Sequence, residues 1–328
     1  MVPKGKRRAL IVLLMIMTPG IPEYLGGSSK FSDLIFNTPS FFLGLVFNIG
    51  MYTCGALLIR EFALRYKKGW ASILTIGLAY GIIEEGISDH TFFIPAGGPV
   101  GRLAIYGRYM GVDWTWALGI SLFHAVFSIG LPILILAIAF PKYANEPLLG
   151  KRSGSLVFII YALDVIILSI AATHERALAI PTLAEYTFFF ALASALVGIA
   201  KVLPSKLLRG RGRPEYGAKR LYLLGLLVFP LYVSNTLLSS TSTGSPRIAP
   251  YLDAILYVVA NIVILAAIVK NLPERDNRKH KFALALGLIT PLFVWAETIQ
   301  IFGVNIIIST VTVIAIIFLL KLRKLVNS

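Results

Sequence analysis

Two adjacent acids, Glu84 and Glu85, interrupt an otherwise apolar run from Ser72 to Phe93, and Asp89 and His90 follow within two turns. His124 interrupts the next apolar run, Asp164 the one after it, and Asn48 the one before. Carboxylate and imidazole donors together suit Zn²⁺ and other first-row divalent ions. An ion held by Glu84, Glu85, His90 and His124, with one position left open, would lower the pKa of a bound water to about 7 and make it a nucleophile. One of the glutamates would then serve as general base. Without a metal, two neighbouring carboxylates in low dielectric hold at least one proton, which suits a proton relay.

Spacing adds geometry. Gly77, Gly81, Glu85 and Asp89 recur every four residues and form one slowly drifting stripe on a helix. The two glycines let another helix approach closely, so Glu85 and Asp89 are expected to face a neighbouring helix and not lipid. Glu84 lies about 100° round from that stripe. At 1.5 Å per residue, Glu84 falls roughly 14 Å in from Phe93, His124 roughly 15 Å in from Trp114, Asp164 roughly 15 Å from His174 and Asn48 roughly 12 Å from Ser40. Four successive spans thus bring a polar group to one level. The catalytic set expected from this is Glu84, Glu85 and His124, with Asn48, Asp89, Arg108 and Asp164 as substrate contacts.

The elements that must position these groups are membrane helices. The chain is 57% hydrophobic and 14% charged, with a mean hydropathy of +0.79, whereas soluble domains are about 25% charged. Ten apolar spans can be drawn, at roughly 9–22, 40–62, 70–93, 114–140, 154–173, 185–203, 221–240, 252–270, 282–298 and 304–320. The expected fold is an all-α polytopic transmembrane bundle forming a single membrane domain over residues 1–328, with no internal repeat. Ionisable residues inside such spans cost at least about 2.5–3.5 kcal/mol each, so the buried acids need a reason to be there.

The net charge of +15 is distributed by topology. With both termini in the cytoplasm, 26 of the 31 Lys and Arg fall on the cytoplasmic side, and only Lys30, Arg102, Arg108, Arg176 and Arg247 on the other. The charge is therefore mostly topogenic, and no nucleic-acid partner is expected, since no recognised motif accompanies it. The lipid bilayer and an unknown membrane substrate are the expected partners. Arg209, Arg211 and Arg213 are placed to touch anionic lipid headgroups. A single cysteine, Cys54, excludes an intrachain disulfide. Lys4 to Met17 resembles the basic and apolar regions of a signal peptide, but Thr18-Pro-Gly-Ile-Pro-Glu23 offers no small-x-small cleavage site, which favours a retained, kinked first helix.

Eleven of the sixteen acids, and His90, His124 and His174, lie within spans or on the outer side. Two outer loops are long, Ile21 to Pro39 and Ile94 to Asp113, and the second, with Arg108 in its Tyr106-Gly-Arg-Tyr109 stretch, is long enough to act as a lid.

Adjacent glutamates in one membrane helix and a histidine in the next resemble the CPBP family of intramembrane proteases, which includes CAAX-processing enzymes. The resemblance spans residues 75–130. The family's Glu-Glu-x-x-x-Arg motif aligns with Glu84-Glu85-Gly86-Ile87-Ser88-Asp89, Asp89 standing at the arginine position. Its Phe-x-x-x-His motif aligns with Ile120 to His124, Ile120 standing at the phenylalanine position, and for its His-x-x-x-Asn motif His174 is followed by Leu178. The resemblance implies that Glu84 or Glu85 is a base or metal ligand and that His124 stabilises an oxyanion or binds metal. A metal-dependent hydrolase is the expectation that follows. A proton-coupled transporter and a non-catalytic subunit of a membrane complex remain open beside it.

Overall fold

The architecture comes from a computed structural model, which describes residues 2–29, 37–94, 105–175, 179–212, 217–240, 248–275 and 277–301. Nine helices make up the described residues: α1 (Lys4–Leu25), α2 (38–65), α3 (Trp70–Ser88), α4 (Trp114–Ala139), α5 (Lys151–Glu175), α6 (Leu183–Val202), α7 (Gly217–Ser240), α8 (Pro250–Asn271) and α9 (Arg278–Ile301). The first eight are long and apolar enough to cross a membrane and match the first eight spans drawn from the sequence. The ninth span falls on α9, and the tenth, 304–320, lies outside the described residues. The chain is an all-α multi-pass bundle.

α3 and α4 form its centre. Their apolar windows are 72% and 78% buried, against 11% for α5 and α8, which leave most of their surface for lipid. The glycine stripe explains the close fit. A Cβ on Gly77 would lie 2.8 Å from the Ala125 Cα, and one on Gly81 would lie 2.8 Å from the Ser121 Cα, so α3 and α4 touch backbone to backbone. α1 joins this core through Leu10 and Leu14, both fully buried.

Four helices widen into a π-turn: Gly20–Leu25 in α1, Ile49–Thr53 in α2, Ile83–Ser88 in α3 and His124–Gly130 in α4. Glycine or proline accompanies each of them, as Pro19 and Gly20, Gly50, Gly86, and Gly130 with Pro132. Prolines supply no backbone N–H to the ladder, and glycines tolerate the wider turn. Single π-turns of this kind frequently mark functional sites.

The third span is shorter than its sequence suggests. It was drawn to Phe93, but the helix ends at Ser88 because His90 adopts a left-handed conformation (φ +57°) and turns the chain. Phe92 then folds back on Gly86, where any Cβ would meet its ring at 2.8 Å. The described part of the second long loop, residues 105–113, contains regular structure. β1 (Arg108–Tyr109) and β2 (Val112–Asp113) form a hairpin whose turn residues Met110 and Gly111 both have positive φ, +50° and +81°. Asp113 then caps α4 by accepting from the Trp116 N–H at 2.9 Å.

At the other end of the core, Arg60 and Glu61 close off α2. Arg60 donates to the carbonyls of Tyr143, Ala144 and Glu146 at 3.0, 2.9 and 2.9 Å, and to Glu61 at 3.1 Å. Glu61 accepts from the Leu148 N–H at 2.7 Å. This ties the 140–150 connection to the bundle.

Candidate functional site

The π-turns of α3 and α4 face one another and bring Glu84, Glu85 and His124 together, all buried. His124 stands between the two acids. Its Nδ1 lies 3.0 Å from Glu84 Oε2 and its Nε2 lies 2.9 Å from Glu85 Oε1. Each carboxylate therefore meets a different ring nitrogen, on opposite edges of the imidazole. Ser128, one turn along α4, adds its Oγ to Nδ1 at 2.8 Å. A protonated ring here is flanked by a carboxylate on either side; Nε2 makes its hydrogen bond with Glu85 and Nδ1 with Ser128, while Glu84 Oε2 stands beside Nδ1 without one.

A second layer fixes this geometry. Thr91, in the segment that folds back over the end of α3, donates to Glu85 Oε2 and accepts from the Trp116 indole at 3.0 Å. Tyr52 on the α2 π-turn and Tyr80 on α3 flank the His124 ring at centroid distances of 6.1 and 6.0 Å. Tyr52 donates to Glu23 on the α1 π-turn, and Ser29 donates to the other oxygen of that acid at 2.9 Å. All four π-turns thus contribute a side chain to one polar region. Glu84 Oε2 and the Tyr80 hydroxyl are buried there without a hydrogen bond among the described residues, an arrangement that in native proteins calls for an explanation such as water, an ion or chemistry.

Other expected site residues go elsewhere. His90 does not join the ligand group, which corrects its assignment as a metal ligand. The left-handed turn carries it outward to α5 and α6, where Nε2 meets Ser169 Oγ at 3.1 Å and the Tyr186 hydroxyl at 2.6 Å. Asp89 sits half-buried at the end of the π-turn, its N–H bonded to Glu84 O at 2.7 Å. Arg108 donates to the carbonyls of Phe93, Ile94 and Gly111, each at 2.7 Å, and so fastens the hairpin to the segment covering α3. Asp164 is buried against Gly50, where a Cβ would lie 2.8 Å from its Cγ; its Oδ2 has no hydrogen bond among the described residues. Tyr161, one turn before it, stacks at 6.3 Å on Tyr80 and so connects α5 with the region around His124. Asn48 is half-buried, just before the α2 π-turn.

Sequence reasoning passed over Tyr52, Tyr80, Thr91 and Trp116, and took Ser128 only as a neighbour of His124. Two of them carried a signal, because Tyr80 precedes Glu84 by four residues and Ser128 follows His124 by four, which puts each on the face of its acid or imidazole. Tyr52, Thr91 and Trp116 carried none, since they depend on a π-turn and a reversal that spacing does not reveal.

As donors, two carboxylates and an imidazole match a zinc site, and their ligand atoms lie within 4.8 Å of one another. Ligands on one zinc at about 2.0–2.2 Å are no more than about 4.4 Å apart, so the group would have to tighten, and the ring would have to release one of its two acids.

Fold and site together define a multi-pass membrane protein with a buried acid–histidine–acid group in its central helices. The model of an uncharacterised membrane protein family matches residues 12–326, and the chain belongs to that family. No curated protein and no solved structure matches it. These comparisons give the resemblance to CPBP proteases no support.

Proposed function

We propose that this protein moves protons through the bundle as part of a transport cycle, with Glu84, His124 and Glu85 as its relay. One observation carries the reading: a single buried imidazole stands between two carboxylates, hydrogen-bonded to Glu85 Oε1 through Nε2 and with Nδ1 3.0 Å from Glu84 Oε2, a charge contact without hydrogen-bond geometry. A proton accepted at Nδ1 from Glu84 releases the proton at Nε2 to Glu85, and a ring flip or tautomer change resets the group. Buried acids of this kind in membrane helices mark proton relays. Asp164, buried and adjacent to Gly50, is the next proposed acceptor, reached past Tyr80 and Tyr161. Asn48 is proposed to line the same route.

The test is a pH jump across proteoliposomes that hold a pH-sensitive dye. The native protein should equilibrate the gradient faster than empty vesicles, and Glu85→Gln and His124→Gln should return the rate to that of empty vesicles. Native rates in both variants would end the proposal.

A second reading, a metal-dependent hydrolase, is favoured by the convergence of three ligand atoms within 4.8 Å. Glu84, Glu85 and His124 would hold the ion, and Zn²⁺ would supply a water activated near neutral pH. This reading predicts close to one zinc per purified chain, lost in His124→Ala.

A further inference from the structure

The described surface carries a cleft of about 720 Å³ at the end of the bundle where Arg60 and Glu61 lie, between the end of α2 and the start of α5. Arg65, Lys151, Gly154, Ser155, Phe158 and Ile159 line it. We propose that this cleft binds one anionic phospholipid, with the phosphate between Arg65 and Lys151 and an acyl chain laid along α5.

The headgroup end is built. Arg65 is held in place by its Nη2, which donates to Leu149 O at 3.1 Å, yet its side chain stays 45% exposed. The guanidinium lies across Gly154, where a Cβ would stand 3.3 Å from Nη2, so the missing side chain leaves room for it. Lys151, the first residue of α5, is exposed, and the first-turn N–H groups of that helix have no intrahelical partners. Two cations and the first turn of α5 line the same cleft, and a helix N-terminus favours an anion beside it. Glu61 is the one acid paired with Arg65 among the described residues; it approaches from the buried side, 3.9 Å from Nε.

The other end of the cleft distinguishes a lipid from free phosphate. Below the cations come Phe158 and then Ile159, Leu163, Ile166 and Ile170, exposed at 52%, 53%, 55% and 56%. Their spacing of four, three and four residues makes one straight stripe. It runs for eleven residues, about 16 Å, close to the depth of one leaflet at roughly 15 Å. A charged head above an apolar rail of that length matches a phospholipid. The cleft also opens on the end of the bundle that carries most of the Lys and Arg, where anionic lipid is attracted.

Native mass spectrometry of the purified full chain with palmitoyl-oleoyl phosphatidylglycerol, and separately with the phosphatidylcholine analogue, tests this. One phosphatidylglycerol should be retained at least roughly tenfold more tightly than phosphatidylcholine. Each cation should contribute roughly fivefold, so K151Q should narrow the preference by that factor and R65Q/K151Q should abolish it. Because Arg65 also holds the Leu149 carbonyl, Gly154→Leu gives a second variant that fills the cleft and leaves both charges in place; it too should abolish the preference. Equal retention of the two lipids, or a preference untouched by K151Q and Gly154→Leu, overturns the proposal. Displacement of phosphatidylglycerol by inorganic phosphate at millimolar concentration overturns it in favour of a free-phosphate site.

Discussion

Arg60 and Glu61 are as deeply buried as Glu84, Glu85 and His124, but the two groups direct their polar atoms to different partners. Arg60 turns to three backbone carbonyls and Glu61 to a backbone N–H, all in the 140–150 connection. Their charges hold a loop. In the acid–histidine–acid group the short contacts run from side chain to side chain, between helices, while each cluster leaves one carboxylate oxygen, Glu61 Oε2 and Glu84 Oε2, without a hydrogen bond among the described residues. The first arrangement has one state, because backbone amides do not titrate. The second can exchange protons among its members with little rearrangement. Two clusters of equal burial therefore differ in their partners, and the proposed relay is assigned to the second for that reason.

The sharpest way to break that contrast is at Arg60. Arg60→Met removes the buried cation, frees three carbonyls and leaves Glu61 with only the half-exposed Arg65 at 3.9 Å, which should cost about 3 kcal/mol. Unfolding in detergent should show a large loss, with proton movement falling only in proportion to folded protein. An unchanged midpoint would mean that the loop is held by other contacts.

A smaller effect is expected where α3 meets α4. Gly81→Ala drives a Cβ to within 2.8 Å of the Ser121 Cα and 3.1 Å of the His124 Cβ. Parting the helices should cost about 1–3 kcal/mol and widen the Glu85–His124 contact, so stability and proton movement fall together. Gly44→Ala on α2 is the control. Nothing lies within 4 Å of its Cβ, and the change should be neutral or stabilise by about 0.4–1 kcal/mol. Equal outcomes at the two glycines would remove the argument for backbone contact.

At Glu85 the balance reverses. Glu85→Gln keeps an oxygen to accept from Thr91 or His124, so stability should change by only about 1 kcal/mol. Proton movement should nevertheless disappear. In a double-mutant cycle with His124→Gln, a coupling of about 0.5–3 kcal/mol is expected, and none between Glu85 and Arg60. Coupling between the two clusters would show that they are one network.

The helices and their order were legible in the sequence because hydropathy acts over twenty residues at a time. Glu84, Glu85 and His124 were legible because charge in an apolar run is conspicuous and the Gly77–Gly81 stripe gave the face. The exact level was less so. Counting from Phe93 put Glu84 roughly 14 Å from the helix end, whereas the end at Ser88 leaves four residues, roughly 6 Å. The alignment with His124 survives because Thr91, Phe92 and Phe93 fold back over that end and are buried. His90 was misplaced for the same reason: a single positive φ decides its direction, and no periodicity encodes it. Arg108 looked like a binding residue because it is a cation in a long loop, but it donates to the Gly111 carbonyl in its own hairpin turn and to the Phe93 and Ile94 carbonyls of the segment after α3, an arrangement that the loop composition did not announce.

The smallest effect at any one pH is expected at Asp113, and it decides how pH experiments on the relay are read. Asp113 lies just outside α4, and burial pushes its carboxyl up to about 7, against the opposing pull of the Trp116 N–H and the Arg108 charge. A carboxyl with a folded pKa above its unfolded value of about 3.9 binds more protons in the folded state. Its contribution is therefore complete below about pH 4 and declines as pH rises through 7. Between pH 6.5 and 8 the remaining decline is under about 1 kcal/mol, or roughly 2–4 °C in Tm. Asp113→Asn keeps an oxygen for the Trp116 N–H and so keeps the cap, and Tm should become flatter over this range. Any pH dependence of proton movement that persists in Asp113→Asn then belongs to the interior of the bundle, whereas its loss would move the titrating group from the acid–histidine–acid relay to the hairpin at the start of α4.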